Sequence, residues 1–460
     1  MERRAAPWRG EEDGEKAAAV EMIPGTARSR IAPQPRASVI PGEALEGIVE
    51  PRRGLLRNSA ILFAAMMSAN VAAYLFQFLM GRFLSPADFG AMNAMLSFTT
   101  ILGIPAVVLA LVVARRTAGW DAVGATARVK GLYVRMLTWW GGANLVALAV
   151  LILLSPFLAA YFRLDGAGPI FWAAGILLSG VLHPLNSGVF QGRQWMVLLG
   201  GLALLSSAVR LGIGGATAVW DLGVGGGLGA SVAGNAASVA IGGAVLWFAW
   251  RNIERGPAPL AAELWRETSG TLLATLGLAL FMSADVVLVK HYFDPREAGE
   301  YAAAAVMGKA VVYLPGAVMT VLYPMAAEDA ALDRKSRPLL IQGLLLVVAL
   351  SGAGAAGLYA LSEPVIHHLY GGKYDHVSSL LGMFGLAMLP LALTQVVVSY
   401  LLAKGRYGFV PWVLFWAAAL CLGIVFFHGS GFQVIAVVFA ASFLCLVSLL
   451  VLDARRLRAR

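Results

Sequence analysis

The chain has 460 residues, 59% of them hydrophobic and only 13% charged, with a formal net charge of +9 and a mean hydropathy of +0.75. No soluble domain of that length can hide so much apolar surface, which excludes soluble enzymes and soluble binding modules. The basic excess invites a nucleic-acid reading, but its placement follows membrane topology instead, as shown below.

Residues 1–54 mix both charge signs with Pro, Gly and Ala and lack the apolar stretch of a signal peptide, so they are expected to form a disordered cytoplasmic tail. Beyond them, apolar runs recur that are each long enough to cross ~30 Å of hydrocarbon as a helix. Twelve spans are predicted, near 59–80, 90–114, 135–158, 169–190, 196–217, 227–250, 269–289, 299–325, 339–361, 378–403, 411–427 and 432–452. Only the short Gly-rich break "WDLGVGGGLG" (220–229) separates the fifth from the sixth. Cys421 and Cys445, the only cysteines, fall inside spans 11 and 12 and read as packing thiols, with no disulfide framework or metal site.

With the N-terminus placed in the cytoplasm, one face of the membrane receives 18 Lys and Arg residues without counting the N-terminal tail. The other receives five: Arg82, Arg163, Lys290, Arg296 and Lys373. That is a positive-inside pattern with both termini cytoplasmic.

Two heptapeptides, "LSPADFG" (84–90) and "FDPREAG" (293–299), repeat one device. Ser85 or Asp294 stands at an N-cap, Pro86 or Pro295 at the first helical position, and Asp88 or Glu297 completes a capping box. They open spans 2 and 8, both from the sparse-charge face. Pro105 follows Pro86 by nineteen residues and Pro315 follows Pro295 by twenty, Pro184 in span 4 matches Pro390 in span 10, and "QGRQW" (191–195) matches "AKGRY" (403–407). Spans 1–6 and 7–12 are therefore a parallel repeat, an arrangement used by alternating-access transporters with a substrate site between the lobes. The expected organisation is a lobe over 55–250, a cytoplasmic linker over 251–268, a second lobe over 269–453 and a basic cytoplasmic tail over 454–460. An inert duplicated scaffold is the bland alternative.

Polar residues within the spans fall at helical spacing, as with Asn70, Tyr74 and Gln77, or Ser179, His183 and Asn186. Serines and threonines read as interhelical glue. Asn70, Gln77, Asn93, His183 and Asn186 are candidates for a hydrated cavity. Charges inside a span normally mark function. Arg210 in span 5 and Lys309 in span 8 read as two largely unpaired cations, one per lobe, awaiting an anion. Lys309 leaning on Asp285 is the competing reading, and Asp285 is also a possible proton or sodium site or a partner for Lys290. The longest outer loop, "SEPVIHHLYGGKYDHV" (362–377), carries His367, His368 and His376, which beside Tyr370 and Tyr374 read as interfacial aromatics. There is no Walker signature and no catalytic constellation, so neither enzyme activity nor a cofactor is expected.

The stretches "GRFLSPADFGAMNAMLSFTTILGIPA" and "DVVLVKHYFDPREAGEYAAAAVMGKAVVYLPGAVMTVLYPMAAE" (285–328) resemble bacterial polysaccharide flippases of the Wzx type, in the multidrug/oligosaccharidyl-lipid/polysaccharide (MOP) exporter superfamily. The resemblance covers roughly residues 55–453. It implies an all-α, polytopic, MATE-like fold of two six-helix lobes around a cationic cavity in the cytoplasmic (inner) membrane. It also implies transfer of a polyprenyl-diphosphate-linked oligosaccharide between leaflets, for capsule, exopolysaccharide or O-antigen assembly. The expected partners are that lipid-linked oligosaccharide and other polysaccharide assembly proteins, with no nucleic acid and a monomeric transporter unit. The alternatives are a cation-coupled multidrug exporter, disfavoured by the lack of a mid-membrane carboxylate in spans 1–6, and a membrane glycan polymerase or ligase, disfavoured by the short outer loops.

Overall fold

Hydrocarbon leaves backbone N–H and C=O groups no partner but each other, so runs of this length and apolarity fold as helices. The computed structural model describes residues 53–257, 261–313 and 337–458, and among these it is helical with no strand. The helices of the first half are α1 (Arg53–Phe83), α2 (Pro86–Asp121), α3 (Thr126–Leu153), α4 (Ser155–Tyr161), α5 (Gly168–Gly192), α6 (Met196–Val219) and α7 (Gly223–Trp250). The second half has α8 (Ala261–Tyr292), α9 (Pro295–Gly308), α10 (Ala310–Tyr313), α11 (Arg337–Ala360), α12 (Ser362–Tyr370), α13 (Ser378–Ala387), α14 (Leu389–Ala403), α15 (Val410–Phe426) and α16 (Gly431–Arg458). Among the described residues, ten segments are long and apolar enough to cross a membrane, and α15 is a shorter eleventh. The eighth predicted span is described only through α9 and α10. Residues 1–52 of the expected tail, Pro315, Arg334 and Lys335 lie outside the described residues, and Arg53 already belongs to α1.

The Gly-rich break is a tight turn, with Asp221 at φ 51° and Gly223 at φ 54°. The prolines act unequally. Pro105 and Pro184 sit inside continuous helices, whereas Pro156 and Pro390 each start a new helix within a predicted span. Proline removes one ladder donor, and neighbouring helices decide whether the helix bends or restarts. The basic end of the chain is helical through Arg458 as the last turn of α16.

Packing repeats with the sequence. In the first half α1 lies on α6, α2 on α5, α3 on α5, α5 on α7 and α6 on α7. In the second, α8 lies on α15, α9 on α13 with α10 on α14, α11 on α13 and α14, α14 on α16, and α15 on α16. Each of these first-half pairings thus has its counterpart in the second.

Between the halves, α2 packs on both α8 and α9. Along the α2–α8 seam, Ile104 and Val108 bury against Ala279, flanked by Leu272 and Leu276. At its start α2 crosses α9 where the two heptapeptides meet. A Cβ on Gly90 would lie 2.7 Å from the Gly299 nitrogen, and one on Gly299 would overlap the Pro86 carbonyl. The glycine that closes each heptapeptide is therefore required by the other heptapeptide, because backbone touches backbone there.

Two expectations change here. Ser85 caps α2, accepting the Asp88 N–H at 3.1 Å and donating to its carboxylate at 2.6 Å. Asp294 makes no side-chain cap on α9 and instead lies 3.8 Å from Arg163 of the other half. Residues 362–377 are also not a loop but α12 followed by a 3-10 turn. Tyr370 and Tyr374 are not interfacial: both are fully buried, edge-on to Phe89 of α2 at 5.7 and 6.4 Å. Gly81 leaves room for the Tyr370 ring against α1.

Candidate functional site

The sequence-predicted site residues divide into two clusters and a scattered set. In the second half, Asp285 of α8 has no exposed surface. Lys309 Nζ lies 2.8 Å from its Oδ1, and Tyr301 donates its hydroxyl to Oδ2 at 3.1 Å. The lysine stands at the junction of α9 and α10, where it caps α9, and its ammonium lies 5.8 Å from the Phe384 ring centroid. Gly308 sits against the same ring, where a Cβ would not fit. Lys309 is therefore not a largely unpaired cation. Asp285 neutralises it, and Asp285 pairs with Lys309 rather than with Lys290. Two charges this deep are tolerable only as a hydrogen-bonded pair, which Tyr301 completes.

In the first half, Arg210 of α6 places its guanidinium 4.1 Å from the Phe76 ring centroid on α1. Its Nε is buried without a hydrogen-bond partner, and among the described residues no carboxylate pairs with it. Gly234 of α7 allows the approach, since a Cβ there would lie 3.2 Å from the Arg210 Cβ. Gln77, next to Phe76 in sequence, likewise buries its Oε1 without a partner. A cation stacked on an aromatic face keeps its charge while its N–H groups stay available to an incoming acceptor.

The repeat relates the clusters. Asp285 stands ten residues before Pro295, and the residue ten before Pro86 is Phe76. One position thus carries a carboxylate in one half and, in the other, the ring beneath an arginine.

Of the remaining candidates, three are engaged in ordinary helix contacts. Asn93 Nδ2 donates to Phe89 O at 3.0 Å within its own helix. His183 Nδ1 lies 3.1 Å from Ser238 Oγ of α7. Asn186 accepts from the Tyr133 hydroxyl at 2.7 Å and donates to Val239 O at 3.4 Å, tying α5 to α3 and α7. Asn70 is exposed on α1. Among the described residues, none of these four hydrogen-bonds to Arg210. A groove of about 620 Å³ lined by Trp195, Leu198, Leu202 and Ile241 lies at the start of α6 and includes no residue of either cluster. Sequence reasoning missed Tyr301. Its signal was the eight-residue spacing to Lys309, which puts both on one helix face.

The comparisons with known proteins agree with this architecture. Residues 79–379 match a family described as polysaccharide biosynthesis protein. No curated protein matches the sequence. Among solved structures, the chain is similar to an inward-facing multidrug resistance MATE family transporter of the MOP superfamily, with 12% identity, 87% of this chain and 98% of that one covered, and a TM-score of 0.69. It is also similar to the lipid II flippase MurJ in an inward closed conformation, with 12% identity, 87% of each chain covered and a TM-score of 0.67. The Vibrio cholerae MATE transporter VcmN in the bent form is similar at 16% identity, covering 88% of this chain and 98% of that one, with a TM-score of 0.58. At such identities the neighbours establish the fold alone, and the family match covers well over half of the chain. This multi-span membrane protein belongs to the polysaccharide biosynthesis family and has the fold of MOP-superfamily transporters.

Proposed function

We propose that this chain is a flippase that moves a polyprenyl-diphosphate-linked oligosaccharide from the cytoplasmic to the outer leaflet by alternating access of its two halves, and that it is not an enzyme. The observation that carries the reading is Arg210, a cation inside a span of a polysaccharide-biosynthesis protein with no carboxylate among the described residues to neutralise it. An unpaired charge at that depth is expensive, so it is retained where an anion comes to it. In this reading Arg210 receives the diphosphate-sugar head group, Gln77 adds an acceptor for sugar hydroxyls, and the prenyl tail stays in lipid. Lys309, being paired, is assigned to the Asp285–Tyr301 cluster, whose neutral pair is a candidate for proton or sodium coupling.

The orientation follows from the charges. The α2–α3, α5–α6 and α7–α8 ends carry Arg116 over Trp120, Arg193 over Trp195 and Trp250, and Arg251 over Phe248. Arginine–aromatic pairs of this kind anchor an interface, and the 18-to-5 bias makes that interface cytoplasmic. Both termini are then cytoplasmic, in a bacterial inner membrane, and the Gly90–Gly299 crossing lies at the outer face. The lobes at 55–250 and 269–453 and their linker are proposed on the same basis.

The test is mass spectrometry of polyprenyl-diphosphate-linked oligosaccharides in a strain lacking the gene, with surface glycan measured in parallel. Lipid-linked glycan accumulating on the cytoplasmic leaflet, with surface polymer lost, is the expected result. Unchanged pools with new sensitivity to cationic drugs would instead make the chain an exporter.

A further inference from the structure

The five basic residues on the sparse-charge face look like exceptions to the topology rule, yet three of them reach across to the other half. Lys373, after α12, donates to Arg82 O at 3.2 Å and to Leu84 O at 3.5 Å, at the end of α1. Arg163, after α4, donates to Phe293 O at 3.1 Å, just past the end of α8. Leu84 and Phe293 each stand two residues before a helix-start proline, Pro86 or Pro295. The exchange also runs in the other direction. Arg82 donates to His368 O at 3.1 Å in the last turn of α12. His291 Nδ1–H donates to Tyr161 O at 2.8 Å at the end of α4, with the two rings stacked at 3.9 Å. Arg82 and His291 each stand four residues before the same prolines.

This is one arrangement made twice, related by the symmetry of the repeat. Every acceptor is a carbonyl at or just beyond a helix C-terminus, where main-chain oxygens lack intrahelical partners and the helix dipole favours a cation. Such carbonyls are commonly satisfied by local turns or water. Here each half satisfies the other's. Arg82, Arg163 and Lys373 are exposed, so water replaces these bonds readily when the halves part. A contact of this kind forms and breaks without leaving buried orphans.

We propose that the end of the molecule at which α1 meets α2 is a gate held shut by reciprocal capping, in which Arg82 and Lys373 on one side and His291 and Arg163 on the other close helix C-termini of the opposite half. Twin contacts stand at equal sequence distance from the crossing of Gly90 and Gly299, so a rotation that breaks one set breaks its twin, and the gate has two states rather than a continuum. The purpose of the gate rests on the transport reading. Its closing contacts do not.

The experiment uses the full chain in nanodiscs, with Cys421 and Cys445 replaced by Ser and Ala and spin labels at the exposed positions Gly166 and Glu297, read by double electron–electron resonance. The parent should give a single short distance. The R163A/K373A double variant should raise the fraction at longer distance roughly threefold or more, since weak exposed contacts still shift a two-state balance. Each single variant should shift it by a similar part. R296A should leave it unchanged, because Arg296 pairs with Glu300 on its own helix. An unchanged distribution in R163A/K373A, or an equal shift in R296A, overturns the gate. If the double variant does not fold, R82Q and K373Q carry the same test. A normal distance shift without any effect of the gene on lipid-linked glycan overturns the flippase reading and leaves the gate intact.

Discussion

The two halves share a packing plan and differ in what they do with charge. The second half buries Asp285 and at once neutralises it with Lys309 and Tyr301, whereas the first places Arg210 on Phe76 and leaves it without a counter-ion among the described residues. Position for position, the repeat exchanges a carboxylate for a phenyl ring. A duplication preserved only for folding has no reason to retain an unneutralised cation in one copy. The difference teaches that the fold is carried by what the halves share and the chemistry by what they do not.

The sharpest way to break this comparison is to damage the neutral pair. Asp285→Asn or Lys309→Ala alone leaves an uncompensated buried charge or an orphaned partner, and should cost about 3–5 kcal/mol. The double variant Asp285→Asn with Lys309→Met should recover most of that loss in a thermal melt in detergent. No recovery would remove the pair as a structural unit. Next in size is the crossing: Gly299→Ala should cost about 1–3 kcal/mol through backbone overlap with Pro86, and more than Gly90→Ala, whose added carbon has slightly more room. Arg210→Ala should change stability by less than either, since a stacked cation contributes about 0.5–2 kcal/mol and its burial offsets part of this. The same variant should lower transport about tenfold or more, the cost of one charge-assisted bond to the substrate. Normal transport would remove Arg210 from the site. The smallest effects separate the two heptapeptides. Ser85→Ala loses a cap worth about 1 kcal/mol, and Asp294→Ala, which loses only an exposed pair at 3.8 Å, should stay within about 0.5 kcal/mol. Equal losses would mean that both residues cap.

Much of this is legible in the sequence. Helix starts at Pro86 and Pro295, the repeat and the separation of spans at 220–229 follow from local rules, because capping, chirality and hydrocarbon length act within a few residues. What escaped was direction around the helix axis. Sequence depth puts Asp285 near the outer end of span 7 and Lys309 near the middle of span 8, so their pairing is only the competing reading until the helices' rotation brings them within 2.8 Å. Residues 362–377 read as a loop because Gly371 and Gly372 interrupt them, whereas burial of Tyr370 and Tyr374 against the other half makes them ordered. Lys373 and Arg163 were counted toward topology, and their partners are main-chain atoms that no pattern of side chains reveals.

The meeting of Gly90 and Gly299 has a mechanical consequence. Two main chains in direct contact, with no side chain between them, can pivot but cannot be compressed. From Gly90 the rest of α2 runs to Asp121, about 46 Å at 1.5 Å per residue, so a tilt of roughly 10° about this fulcrum would sweep its far end through about 8 Å. Small strains at one membrane surface are thereby geared into large excursions at the other.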